Sequence, residues 1–183
     1  MATPQAMATP QGMSEVDRRA VAVWAADCAE RVLPLFETEA PTDDRARDAI
    51  ARARAFARGE LTAAGEIRLR FVAGRAAHSA ATPAGVAAAR SAAQAAGVAH
   101  MGAHALGAAA YAAKAVELAR PDDALARADE VHRQLAAMSP EVGAALRCLP
   151  PLGTDTAGPL GPGLLASGVL GEVIREIQAA LAG

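Results

Sequence analysis

From Ala73 to Ala115, 22 of 43 residues are alanine. Alanine has the highest helix propensity and presents the thinnest packing surface of the helix formers, so this stretch commits the chain to helices lying close together. No alternating apolar–polar pattern of useful length occurs anywhere in the 183 residues. The chain therefore reads as all-α, a compact bundle of about seven to eight helices with alanine-rich central members. The 52 alanines, 16 glycines and 3% aromatic content leave few large side chains to fill a core. Stability must come from backbones that approach one another.

Local signals divide the chain. Residues 1–13, with the repeat Met1-Ala-Thr-Pro-Gln5 and Met7-Ala-Thr-Pro-Gln11, read as a disordered leader without a basic or apolar signal-peptide region. A helical bundle is expected over 14–149, a Gly/Pro-rich loop over 150–163 and a C-terminal helix over 164–183. Ser14 with Asp17 caps a first helix, whose apolar stripe is Val21, Trp24, Cys28 and Val32, and Pro34 ends or bends it. Thr42-Asp43-Asp44 opens a second, closed by Gly59. A third begins near Thr62, and Ile67, Phe71, Gly74 and His78 share its buried face, so Gly74→Leu should overpack the core. Thr82-Pro83 starts a fourth. The helical pattern then runs to Ala119, which as one rod would reach about 55 Å. A domain of this size has a radius of gyration of only ~16 Å, so a break is expected, with Gly102 preferred over Gly97 as the hinge. Pro121-Asp122-Asp123 starts a helix carrying Leu125, Ala128, Val131 and Leu135, Ser139-Pro140 caps a short one, and Leu170, Ile174, Ile177 and Leu181 line the last. The 150–163 loop is read as a flexible tether for that helix, with a lid over a pocket as the alternative.

Several functions are excluded or weakened by charge and composition. A formal net charge of −2 removes the electrostatic case for nucleic acid. The uncharged run Ser91–Ala113 is long enough to span a bilayer, yet Val98 and Leu106 are its only strongly inserting residues, so no membrane association is expected. Cys28 and Cys148 suggest no disulfide framework; both are expected to be reduced and unreactive in a cytoplasmic protein. Nothing points to a cofactor.

Chemistry is concentrated in a few polar residues on the alanine helices. His104, Gly107, Tyr111 and Lys114 recur at +3, +4 and +3, and Lys114 is the only lysine. A phenol and an amine titrate near about 10 in water, burial lowers an amine, and neighbouring imidazoles can exchange protons with both. Asp27, His78, His104, Tyr111 and Lys114 are accordingly the candidate catalytic residues, and they are expected to converge. Trp24, Glu30, Arg75, His100 and Gly107 are the candidate ligand-binding residues, Gly107 because it leaves room on its face. The competing readings are a solvated ion pair for Asp27, Glu30 and Arg31, a core histidine for His78, and a Lys114–Glu117 pair. His100 and His104 have the spacing for metal, with His78 or Asp27 as a third ligand. No glutamate lies between them and Gly102 disturbs the helix, so no metal site is assigned.

The string Trp24-Ala-Ala-Asp27-Cys28-Ala-Glu30-Arg31-Val-Leu-Pro34-Leu-Phe36-Glu37 resembles the opening of the immunity five-like family, immunity proteins attributed to bacterial polymorphic toxin systems. Asp43-Asp44-Arg45, Ala53-Arg54, Arg58-Gly59-Glu60, Ala76-Ala77-His78 and Ala99-His100 are similar to it as well. The most specific match is His104-Ala-Leu-Gly107-Ala-Ala-Ala-Tyr111-Ala-Ala-Lys114. The resemblance runs from Arg19 to Val142, and Pro150–Gly183 departs from it. It implies a small cytoplasmic helical bundle that binds a toxin or other partner. The residues themselves leave two alternatives: a small-molecule enzyme of secondary metabolism doing acid–base cyclisation, isomerisation or elimination, and a purely structural homodimer. Burial discriminates them, because an enzyme gathers its groups around one enclosed cavity while a binding protein exposes them.

Overall fold

The structure, a computed structural model, describes residues 9–183, which form eight α-helices and no strand. They are α1 (Glu15–Glu37), α2 (Arg45–Ala57), α3 (Ala63–Ala76), α4 (Pro83–Gly97), α5 (His104–Ala119), α6 (Ala126–Ala136), α7 (Pro140–Arg147) and α8 (Gly168–Ala182). Among them no helix is long and apolar enough to cross a membrane.

Four of the eight helix starts follow side-chain caps read from sequence. Ser14, Thr62, Thr82 and Ser139 each accept a backbone N–H three residues on, which satisfies one of the orphan donors of a first turn. Gly59 closes α2 at φ +83°, a conformation that costs a side chain but not glycine. Pro34 does not end α1, which continues to Glu37. Asp44 caps α2 without a side-chain bond, and it is Asp43 whose carboxylate accepts the Arg45 backbone N–H, at 3.2 Å. The helix after Pro121 starts only at Ala126, and it buries Glu130, Val131 and Gln134 rather than Leu125 and Ala128, both exposed.

The centre of the bundle is an antiparallel pair, α4 and α5, joined by the turn 98–103 and packed on α1. Alanine makes their close approach feasible. Ser91, fully buried on α4, donates its hydroxyl to the Ala108 carbonyl of α5 at 2.7 Å. The break falls where expected, and Gly102 within it lies against the Met13 side chain, which a Cβ there would push aside. α2 and α3 cover one flank of the pair, while α6 and α8 lie against α5.

Three expectations are overturned. The face of α3 carrying Ile67, Phe71 and Gly74 is exposed, and a Cβ on Gly74 would meet nothing. His78 beyond it is exposed too. α3 packs through Ala73 and Ala76 because the small-residue surface of α4 admits the closest backbone contact there. Its large apolar side chains are left outside.

The expected leader is only partly testable: residues 1–8 lie outside the described residues. Its last part is held in place. Gln11 is 2% exposed; its amide N–H groups reach Asp155 and the Ala157 carbonyl, and its Oε1 accepts from Leu160 N–H at 2.9 Å. Its backbone carbonyl accepts from Ala103 N–H at 3.0 Å. The 150–163 loop is likewise docked rather than free, with Leu152, Leu160 and Gly161 buried. Gln178 of α8 bonds Leu152 N–H and the Pro150 carbonyl.

Candidate functional site

The turn between α4 and α5 places His100 and His104 side by side, ring centroids 5.0 Å apart. His104 opens α5 and packs against Gly97 at the end of α4, where a Cβ would come within 2.9 Å of its Cγ. Its Nδ1–H donates to Gln94 Oε1 at 2.7 Å. That acceptor fixes the tautomer and leaves Nε2 as a lone-pair site. Burial pushes the His104 pKa down to about 4, and the neighbouring His100 adds to the shift, so the ring is neutral at physiological pH.

One step further along the pair, Arg90 of α4 lies over the Tyr111 ring, 5.9 Å from its centroid. Beyond it, Lys114 lines the same surface beside Thr82 and Leu118. Three hollows follow this line and share Tyr111. One of about 440 Å³ lies between His100, His104 and the segment Gly158–Leu165. A second of about 350 Å³ lies beneath Phe71 and Leu164 and is floored by Arg90, Gln94 and Tyr111. A third of about 240 Å³ reaches Lys114. Together they make a shallow groove along α4 and α5, walled by α3 on one side and by the C-terminal segment on the other. Phe71, 64% exposed, and Leu164, 63% exposed, form its apolar rims.

The expected convergence is therefore partial. His104, Tyr111 and Lys114 line the groove, with His100 beside them. Gly107 lies under it, but the room it leaves is filled by the Gln94 amide. Asp27 does not join: it and Glu30 are bound to Arg54 of α2, at 2.8 and 2.5 Å. His78 and Arg75 are exposed and line none of the three hollows. Trp24 is core, its indole N–H donating to the Gln134 carbonyl at 2.9 Å. Nor does Lys114 pair with Glu117, which instead binds Arg127 at 3.4 Å. Among the described residues no group of three or more His, Cys, Asp or Glu side chains is placed to share a metal ion.

Sequence reasoning passed over Gln94 and Glu130. Glu130 is 1% exposed and accepts from Nε and Nη2 of Arg31, each at 3.0 Å, while Gln134 Nε2 donates to it at 3.2 Å. Neither residue carried a motif. For Gln94 the available signal was a polar side chain between two alanines; Glu130, beside Asp129, offered none. A larger hollow, about 590 Å³, opens between α2 and α3 but contains none of the candidate residues. Its Arg45, Arg52 and Arg58 are neutralised by Asp43, Glu66 and Glu60.

The arrangement suits binding better than turnover. Of the five candidate catalytic groups, Asp27 is paired with Arg54 and His78 is exposed, while His104, Tyr111 and Lys114 floor an open groove with apolar rims. Aromatic and arginine side chains beside exposed apolar residues are what protein-binding surfaces concentrate at their centres. Neither the curated proteins nor the solved structures match the chain. The family profile described as Imm-5 like putative immunity protein matches residues 11–141, the part of the chain that contains α1 to α6 and the whole α4–α5 face of the groove. The chain therefore belongs to the Imm-5 like putative immunity protein family.

Proposed function

We propose that this protein is an immunity protein that binds and neutralises a toxin in the cytoplasm, and that the α4–α5 groove is its toxin-binding surface. The family supports an immunity-type function. The observation that carries the choice of surface is the exposed apolar rim, Phe71 and Leu164, on either side of a floor built from Arg90, His104, Tyr111 and Lys114. Side chains of that size are left unburied here although Trp24, Phe36, Phe56 and Ile174 are fully packed in the core, and a partner would cover them. An enzyme would gather its groups around an enclosed cavity, whereas these three line open hollows.

The genes on either side name the partner to test, and titration of the purified toxin domain against the protein measures the complex. The wild type should bind it and abolish its activity. Leu164→Asp, which puts a charge on an exposed rim without touching the core, should weaken the complex by about tenfold or more while the melting temperature holds. Neighbouring biosynthetic genes and no toxin complex would overturn the reading. Binding indifferent to Leu164→Asp would move the interface elsewhere.

A further inference from the structure

We propose that the groove receives an acidic segment of the partner, its carboxylates meeting Arg90 and Lys114 and its apolar residues lying against Phe71 and Leu164. The inference rests on the toxin-binding reading and adds the chemistry of what is bound. Charge complementarity carries it. The chain has 20 acidic residues against 18 lysines and arginines, and it pairs its arginines freely: Arg31, Arg45, Arg52, Arg54 and Arg127 each hold a carboxylate within 3.0 Å. No aspartate or glutamate lines any of the three hollows of the groove. Arg90 has the Tyr111 ring beneath it and no ion-pair partner among the described residues, and Lys114 has none either. The nearest acid along α5, Glu117, is drawn away to Arg127.

Two cations on an acid-free floor inside a net-acidic protein raise the local potential and steer anionic groups toward it. The cation–π contact holds the Arg90 guanidinium over Tyr111, from where it can meet a carboxylate with two parallel N–H bonds. Spacing decides against a lone small anion as the intended occupant. The groove continues past both cations between two exposed apolar rims, which a short anion would leave uncovered and an extended segment bearing both acidic and apolar residues would cover.

The probe is a labelled peptide, Gly-Asp-Leu-Glu-Glu-Phe-Asp-Leu-Gly, capped at both ends, beside its counterpart with Asn and Gln in place of every acid. Binding to the full-length protein is followed by anisotropy at two salt concentrations, with acetate and inorganic phosphate as small-anion competitors. The acidic peptide should bind more tightly than the neutral one and weaken as salt rises. Arg90→Gln and Lys114→Gln should each lower its affinity roughly tenfold, while Arg147→Gln on α7, outside the groove, should not. Melting temperatures confirm that each variant is folded. The proposal is overturned by equal binding of both peptides, by equal loss in Arg147→Gln, or by acetate or phosphate competing as well as the peptide. The toxin arm separates it from the functional reading. A toxin complex indifferent to Arg90→Gln and Lys114→Gln sinks the acidic segment and keeps the immunity function. A charge-dependent peptide site on a protein that binds no toxin does the reverse.

Discussion

Gln94 on α4 occupies the space that Gly107 leaves on α5, and from there it accepts the Nδ1–H of His104 at 2.7 Å. A Cβ at position 107 would approach Gln94 Cδ to 2.9 Å and Leu165 Cδ1 to 3.1 Å. The Gln94 amide is the far end of a flexible side chain and can swing out, and alanine regains helix propensity worth about 1 kcal/mol. Gly107→Ala is therefore expected to change stability by less than about 1 kcal/mol and yet break the bond to His104. Imidazole NMR resonances check it: a shifted His104 signal with an unchanged melting temperature is expected, and an unmoved signal would show that Gln94 does not hold the ring.

His104 should also make stability fall with acid. Its folded pKa, about 4, lies below the ordinary 6.5, so between those values the unfolded chain takes up a proton that the folded one refuses. Stability is complete above about pH 6.5 and declines as pH falls toward 4, by about 1–3 kcal/mol. Urea unfolding of wild type and His104→Gln across this window should show a shallower slope in the variant, most clearly between about pH 5 and 6.5. Asp43, whose carboxyl is held low by Arg45, loses its contribution in a separate window, below the ordinary carboxylate pKa of 3.8.

Gly74→Leu is expected to be tolerated, within about 0.5 kcal/mol or slightly stabilising, because no atom lies within 4 Å of the new Cβ and glycine is a poor helix former. A drop in melting temperature of several degrees would show that this face of α3 is covered.

Glu130→Ala should be the costly substitution outside the alanine core. It removes the acceptor of Arg31 and of the buried Gln134 amide, whose Oε1 already has no partner. A loss of about 2–4 kcal/mol is expected, moderated because Arg31 still reaches water. Trp24, bonded to the Gln134 carbonyl, reports the unfolding through its fluorescence. A loss below about 1 kcal/mol would show the network to be dispensable.

The two cysteines should separate cleanly. Cys28 is buried among α1 core residues, and burial, reinforced by the charge of Glu130, pushes its thiol well above the ordinary range. Cys148 is a free thiol exposed at the end of α7, where a reagent can reach it. A thiol reagent should label one site in the native protein and two after unfolding, with the native label lost in Cys148→Ser. Rapid native labelling of Cys28 would contradict its burial.

Caps and the helical class were legible in the sequence because each is a local matter. Ser14, Thr62, Thr82 and Ser139 bond backbone three residues away, and Gly59 adopts a conformation that other residues avoid. The break between α4 and α5 followed from length against the size of a compact domain. Which face of each helix turns inward was decided only by tertiary contact. Hydrophobic size placed Phe71 inside, but the alanine surface of α4 rewards close backbone approach, and Ala73 and Ala76 took that place. The same holds for charge. Asp27 lay beside the apolar stripe of α1, yet its partner is Arg54 on another helix, and no spacing along α1 encodes that distance. Periodicity put His104, Tyr111 and Lys114 on one line; the rims of Phe71 and Leu164 that make the line a groove come from segments about thirty residues before it and fifty after it, and exist only once the bundle closes.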